Sequence, residues 1–178
     1  MKKLLPIIAF FILLGCTSSS MQHGRNTGKL PGDMNTLLYS AEDFFLSIKE
    51  SVFETSWELL SEKSKNKIIN EIYDRSRDNG AEIEKDDIRR SFRQNGIMAR
   101  NFWNAAKTRF DPDIVLEESH WEIGFIKNRK AEIIITYKKS SRPSKLKMYK
   151  ESGSWRVGLV ETFWPRRYME SLFSFLRF

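Results

Sequence analysis

Few side chains here are equipped for covalent or acid–base chemistry. The 178 residues hold one cysteine, Cys16, and two histidines, His23 and His120. A hydroxyl or thiol nucleophile needs a base within hydrogen-bond reach. His23 stands in a Gly-, Ser- and Asn-containing stretch with nothing to hold it. His120 precedes Trp121 at the start of an alternating stretch, where it can serve as an acid/base in a pocket or lie in a turn or on the surface. The patterns G-x-S-x-G, H-E-x-x-H, the P-loop and G-x-G-x-x-G do not occur. The acidic pairs read as local structure. Asp111-Pro112-Asp113 suits a turn or cap and has no third and fourth metal ligand nearby. Asp86-Asp87 suits the negative start of a helix. Glu117-Glu118 on a strand would point to opposite faces and could not converge on one ion. No metal or cofactor is expected.

Two further groups could bind without reacting. Lys138, Lys139, Arg142, Lys145, Lys147 and Lys150 follow one another with no acid between them. Such a run can hold anionic lipid, acidic polysaccharide or an acidic partner, or be a solvated hairpin whose charges discourage edge pairing. Trp57, Trp103, His120 and Tyr137 are candidate pocket residues, although aromatics at helical or strand spacing also build cores.

The N-terminus gives an address. Lys2 and Lys3 precede an apolar run from Leu4 to Leu14, broken only by Pro6. A bilayer-spanning helix needs about 20 apolar residues, and this run is too short. Its length suits the apolar part of a secretory signal. It ends in Leu13-Leu14-Gly15-Cys16 and is followed by Thr17 and three serines. This resembles the lipobox of bacterial lipoproteins. The resemblance implies that Cys16 carries a diacylglyceryl group, usually with a third chain, and becomes the first mature residue. The membrane is then one partner, since two or more chains anchor stably. Thr17, where Asp would often imply inner-membrane retention, points to the outer membrane facing the periplasm. The only thiol is occupied by the anchor, which leaves no cysteine for catalysis, metal binding or a disulfide.

Other priors are set by composition. With 40% hydrophobic and 13% aromatic residues the chain can bury a core, which excludes a disordered polymer. Mean hydropathy of −0.48 with one long apolar run excludes a multi-span membrane protein. The formal charge of +7 is a modest basic excess, part of it from the signal. Nucleic acid is not an expected partner, because neither a basic recognition helix nor an aromatic stacking motif is present.

The elements follow from periodicity. Thr17 to Asp33 has no apolar period and reads as a flexible tether. Leu37, Leu38, Ala41, Phe44, Phe45 and Ile48 predict a helix, capped by Asp33 or Asn35. Val52 to Leu60, the stretch after Ser64, and Glu84 to Arg109 predict further helices, the last divided at Asn95-Gly96. After Pro112 the period changes to two. Strands are predicted around Ile114–Leu116, Trp121–Phe125, Ala131–Tyr137, Leu146–Met148 and Trp155–Leu159, joined by turns at 127–129, 140–144 and 151–153. Helices followed by a meander indicate an α+β domain with helices on one face of an antiparallel sheet.

Asp43-Phe44-Phe45, the run Trp57-Glu58-Leu59-Leu60-Ser61-Glu62-Lys63-Ser64, and Gly153-Ser154-Trp155-Arg156-Val157 together resemble NTF2-like lipoproteins. The resemblance implies a cone: N-terminal helices on a strongly curved sheet, with a possible pocket and possible pairing through the open sheet face. Residues 1–15 are then the signal, 16–35 the lipidated cysteine and tether, 36–162 the NTF2-like domain, and 163–178 a C-terminal amphipathic helix. That last segment carries Tyr168, Met169, Leu172, Phe173, Phe175 and Leu176, too many apolar residues to leave uncovered. It can dock on its own sheet, cover the cone mouth, pair with another protein or lie on a bilayer. The function expected is a lipid-anchored, non-catalytic binding or scaffolding module with an envelope protein partner and possible homodimerisation. The alternatives are small-molecule binding in the cone, or acid/base catalysis around His120 and Tyr137.

Overall fold

The computed structural model describes residues 32–163 and Phe173. Six helices precede the sheet: α1 (Gly32–Lys49), α2 (Phe53–Glu58), α3 (Glu62–Asp78), α4 (Lys85–Arg93), α5 (Ile97–Phe110) and α6 (Pro112–Glu117). Four strands follow, β1 (Ser119–Lys127), β2 (Lys130–Tyr137), β3 (Ser144–Glu151) and β4 (Ser154–Val157), then a short α7 (Leu159–Phe163). The fold is α+β. The strands pair in chain order as one antiparallel, open sheet.

Alternation decides which face is covered. Ala131, Ile133 and Ile135 on β2, Leu146 and Met148 on β3, and Trp155 and Val157 on β4 are buried against the helices. Their neighbours in sequence form the outer face. Helix α1 crosses the covered face. Its Ser40 hydroxyl donates to the Trp155 carbonyl at 2.6 Å, and its Phe45 ring meets Trp121 on β1 at 5.8 Å. Phe44, Phe53, Phe92, Phe102 and Trp103 fill the space among the helices.

Local sequence accounts for the element ends. Ser61 caps α3 by accepting from the Ser64 amide. Gly80, at φ +78°, follows the end of α3 in the left-handed region that favours glycine. Asn95-Gly96 separates α4 from α5.

Three expectations are corrected. Ile114–Leu116 is not a strand but lies in α6. Asp111 accepts from the Asp113 and Ile114 amides, and Pro112 occupies the first turn, where its missing N–H costs nothing. Glu117 is therefore helical, and Lys49 bridges it and Asp113. The last strand stops at Val157, so Leu159 belongs to α7. Asp33, expected as a cap, instead accepts from Lys150 and Trp155. Of the C-terminal helix expected over 163–178, only Phe163 and Phe173 fall within the described residues. Phe173 is 1% exposed, 5.8 Å from Phe102, with the Arg75 guanidinium 5.2 Å from its ring centre. Both of these contacts are with helices, α5 and α3.

Candidate functional site

The four candidate pocket residues do not converge. Trp57 on α2 and Trp103 on α5 are core residues, 3% and 0% exposed. Trp57 lies 4.3 Å from Phe92, and Trp103 packs among Phe44, Phe53 and Phe102. The Trp103 indole N–H has no acceptor. His120 stands on the outer face of β1, its side chain 74% exposed and 3.2 Å from Glu122. Tyr137 ends β2 on the face of Ile133 and Ile135, opposite to His120. These two side chains share no cavity, and the geometry gives no support to an acid/base pair between them.

The basic run is also divided by the fold. Lys150 lies on the inner face and donates to Asp33 at 2.6 Å. The Lys138 ammonium donates to the Glu117 carbonyl, and Lys139 stands 4.0 Å from Glu118. Lys145 pairs with Glu132 at 3.1 Å. Arg142 and Lys147 are exposed, one in the β2–β3 loop and the other on the outer face of β3. Six charges that are consecutive in sequence thus occupy three parts of the surface. Cys16 lies outside the described residues. Among the described residues no group of three His, Cys, Asp or Glu side chains is arranged around a common ion, and no helix is long and apolar enough to cross a membrane.

What the fold builds with most care is one sheet edge. The outer edge of β4 is bridged to Leu60, with Ser61 N donating to Val157 O at 2.9 Å and Val157 N to Leu59 O at 2.7 Å. Strand β4 is half the length of β3, and α7 finishes the job. Gly158 N donates to Lys147 O, and the Thr162 hydroxyl accepts from Lys147 N. Beneath this, Glu161 is 9% exposed and accepts from the Ser61 hydroxyl at 3.1 Å and the Ser64 hydroxyl at 2.6 Å. The Val160 amide donates back to Ser64 Oγ. The carboxylate therefore sits at the N-terminus of α3, where the helix dipole favours an anion. Burial, and secondarily the Glu161 charge, push the nearby Tyr149 hydroxyl above its ordinary pKa. Periodicity carries no trace of this network, because Ser61, Ser64 and Glu161 meet across about a hundred residues.

Among the described residues the opposite edge, β1, pairs with no further strand. Ladder bonds in an antiparallel pair alternate in direction. With Gly158 N bonded to Lys147 O and Lys138 N bonded to Glu118 O, the alternation points the N–H groups of Trp121, Ile123 and Ile126 away from β2. No described backbone group meets them. A bulge between Ile123 and Phe125 breaks the register there, and Phe125 is 48% exposed on the outer face.

Comparison of the chain with protein-family models, with curated proteins and with solved structures found no match.

Proposed function

We propose that this chain is a lipid-anchored protein of a bacterial envelope, held through Cys16 at the outer membrane and facing the periplasm. Its folded part is a non-catalytic binding or scaffolding module, and its curved sheet is the NTF2-like cone that the sequence resembles. The anchor reading is supported by the basic start, short apolar run and Leu13-Leu14-Gly15-Cys16. The observation that carries the binding reading is the one-sided sheet. One face is filled by helices, while the outer face presents Phe125 and β1 presents an edge unpaired among the described residues. An edge with free N–H and C=O groups can accept an added strand, and an exposed aromatic beside it supplies apolar contact. The partner is an envelope protein; self-association through the same face is the competing outcome.

The experiment uses the protein extracted from its own membrane, alongside Cys16→Ser and Phe125→Asp. The peptide bearing Cys16 is expected to carry the mass of acyl chains, and a stoichiometric envelope protein is expected to co-purify and to be lost from Phe125→Asp. An unmodified Cys16 overturns the anchor. A small molecule co-purifying in place of a protein overturns the scaffolding role.

A further inference from the structure

The β1–β2 hairpin and the start of α1 share one end of the sheet. Lys150 joins them: its ammonium donates to the Asp33 carboxylate at 2.6 Å, its amide donates to the Arg129 carbonyl at 2.8 Å, and Arg129 Nε donates to its carbonyl at 2.9 Å. The start of α1 is therefore joined to the turn Lys127-Asn128-Arg129-Lys130 through the single residue Lys150.

That turn breaks a local rule. Lys127 and Lys130 are directly paired across the hairpin, with Arg129 between them. Like charges opposite one another destabilise a strand pair. The usual remedy is an acid nearby, and among the described residues the neighbouring acids are engaged elsewhere, Glu132 with Lys145 at 3.1 Å. Asp33 is held by Lys150 and Trp155, and Glu151 accepts from the Glu62 amide at the start of α3. Lys127, Asn128, Arg129 and Lys130 are all exposed. Asn128, at φ +55°, fits the left-handed position that a tight turn needs, so the turn geometry is served without any of the three charges. Residues 17–31 add Arg25 and Lys29 and no acid.

We infer that the Lys127–Lys130 turn is a second membrane contact, a basic foot that rests on anionic lipid headgroups beside the anchor. This rests on the reading of Cys16 as the anchor. The chain between Cys16 and Gly32 spans no more than about 55 Å even when extended, and it enters the fold at the end of the sheet that carries this turn, so the turn end is the end the anchor tethers. Each Lys or Arg at an anionic surface contributes roughly fivefold to partition, and the three together on the order of a hundredfold at low salt. The contact stands the sheet on its turn end, with the β2–β3 loop and Arg142 at the far end, away from the lipid. The foot is thus a different site from the loop and outer-face members of the 138–150 run, with Lys150 as the link behind the turn.

The test reconstitutes the purified full chain into vesicles of phosphatidylcholine alone and of phosphatidylcholine with phosphatidylglycerol. Amines are labelled with acetic anhydride and quantified by mass spectrometry, with Lys63 on α3 and Lys147 on the outer sheet face as internal references. Lys127 and Lys130 are expected to be labelled several-fold more slowly relative to those references in the phosphatidylglycerol vesicles only. High salt should remove the difference. In R129Q/K130Q, Lys127 remains as the reporter and should lose its protection, while an unchanged melting temperature shows that the fold is intact. Equal labelling in both vesicles overturns the inference, as does protection of Lys127 that survives R129Q/K130Q. The mass of the Cys16 peptide is read in the same sample. An unacylated Cys16 with a protected turn removes the lipid anchor alone, and an acylated Cys16 with an unprotected turn removes the foot alone.

Discussion

The two long edges of the sheet are built in opposite ways. Along β4 and the remainder of β3, the outward backbone groups of Val157 and Lys147 are answered by Leu59 and Ser61, by Gly158, and by the Thr162 hydroxyl, with Glu161 locking Ser61 and Ser64 below. Along β1 no described backbone group meets the outward groups, and the edge carries a bulge and the polar side chains of His120, Glu122 and Lys127. A sheet edge left unpaired invites another chain, and natural proteins usually blunt it. One edge is thus closed over a buried acidic side chain, while the other is the edge proposed above for contact.

The largest contrast should appear in amide exchange. The Val157 and Ser61 amides are bonded within a buried bridge, whereas the Trp121, Ile123 and Ile126 amides face outward. Exchange from bonded core amides requires sub-global opening, and exchange from unbonded ones does not. The β1 edge amides should exchange on the order of a thousandfold faster than those of Val157 and Ser61, with opening free energies separated by about 4 kcal/mol. A hydrogen-exchange time course reads this directly. Comparable rates would mean that β1 is paired in solution, and a concentration dependence would identify a second copy.

Substitutions at the closed edge should cost most. Glu161→Ala leaves two buried hydroxyls without their acceptor, and an unsatisfied buried polar group costs about 1–3 kcal/mol. A loss of about 3 kcal/mol in urea unfolding is expected, with Glu161→Gln recovering roughly half because one acceptor oxygen remains. Gly158→Ala comes next. A Cβ there would lie 2.5 Å from Tyr149 Cε2 and 3.0 Å from Lys147 O. The ring can turn away but the backbone carbonyl cannot, so a loss of about 1–3 kcal/mol is expected. If both variants unfold like the wild type, the edge is not closed by these contacts.

How far the sequence foretold this depends on the range of the signal. The helices of residues 32–110, the split at Asn95-Gly96, and the strands after Trp121 were legible because each rests on a short apolar period. Ile114-Val115-Leu116 misled, since three apolar residues fit either period and only the Asp111-Pro112 cap decides. The basic run misled for a related reason: proximity in sequence is not proximity on a hairpin, where alternation sends Lys150 inward and Lys147 outward. The Trp57 and Trp103 candidates took the core role open to them, and His120 faced solvent. The Glu161 network and the Lys127–Lys130 turn leave no mark in the periodicity: the first joins residues distant in sequence, and the second has the composition of an ordinary turn and differs only by its place beside Asp33 and Lys150.

The smallest expected effect comes from acid, at the corner where α1 meets the closed side. Hydrogen bonding from Lys150 holds the Asp33 carboxyl below its ordinary pKa of 3.8, opposed by partial desolvation and aided by Trp155. A depressed carboxylate contributes stability that is fully present above its unfolded pKa and is lost as the pH falls through its folded one. At neutral pH the Asp33 contribution is therefore complete, and it disappears only below the ordinary aspartate range. The Trp155 indole N–H, which donates to Asp33 at 3.1 Å, is the local reporter. Its proton resonance should hold steady from neutral pH down to about pH 4 and shift below that, while the Trp121 indole, bonded to the Val115 carbonyl at 2.9 Å, should not follow. In Asp33→Asn the Trp155 shift should vanish and the acid limb of the stability curve should flatten slightly. A Trp121 resonance moving in step with Trp155 would show the two sides of the sheet responding as one, and the division between a closed edge and an open one would then fail as a description of local stability.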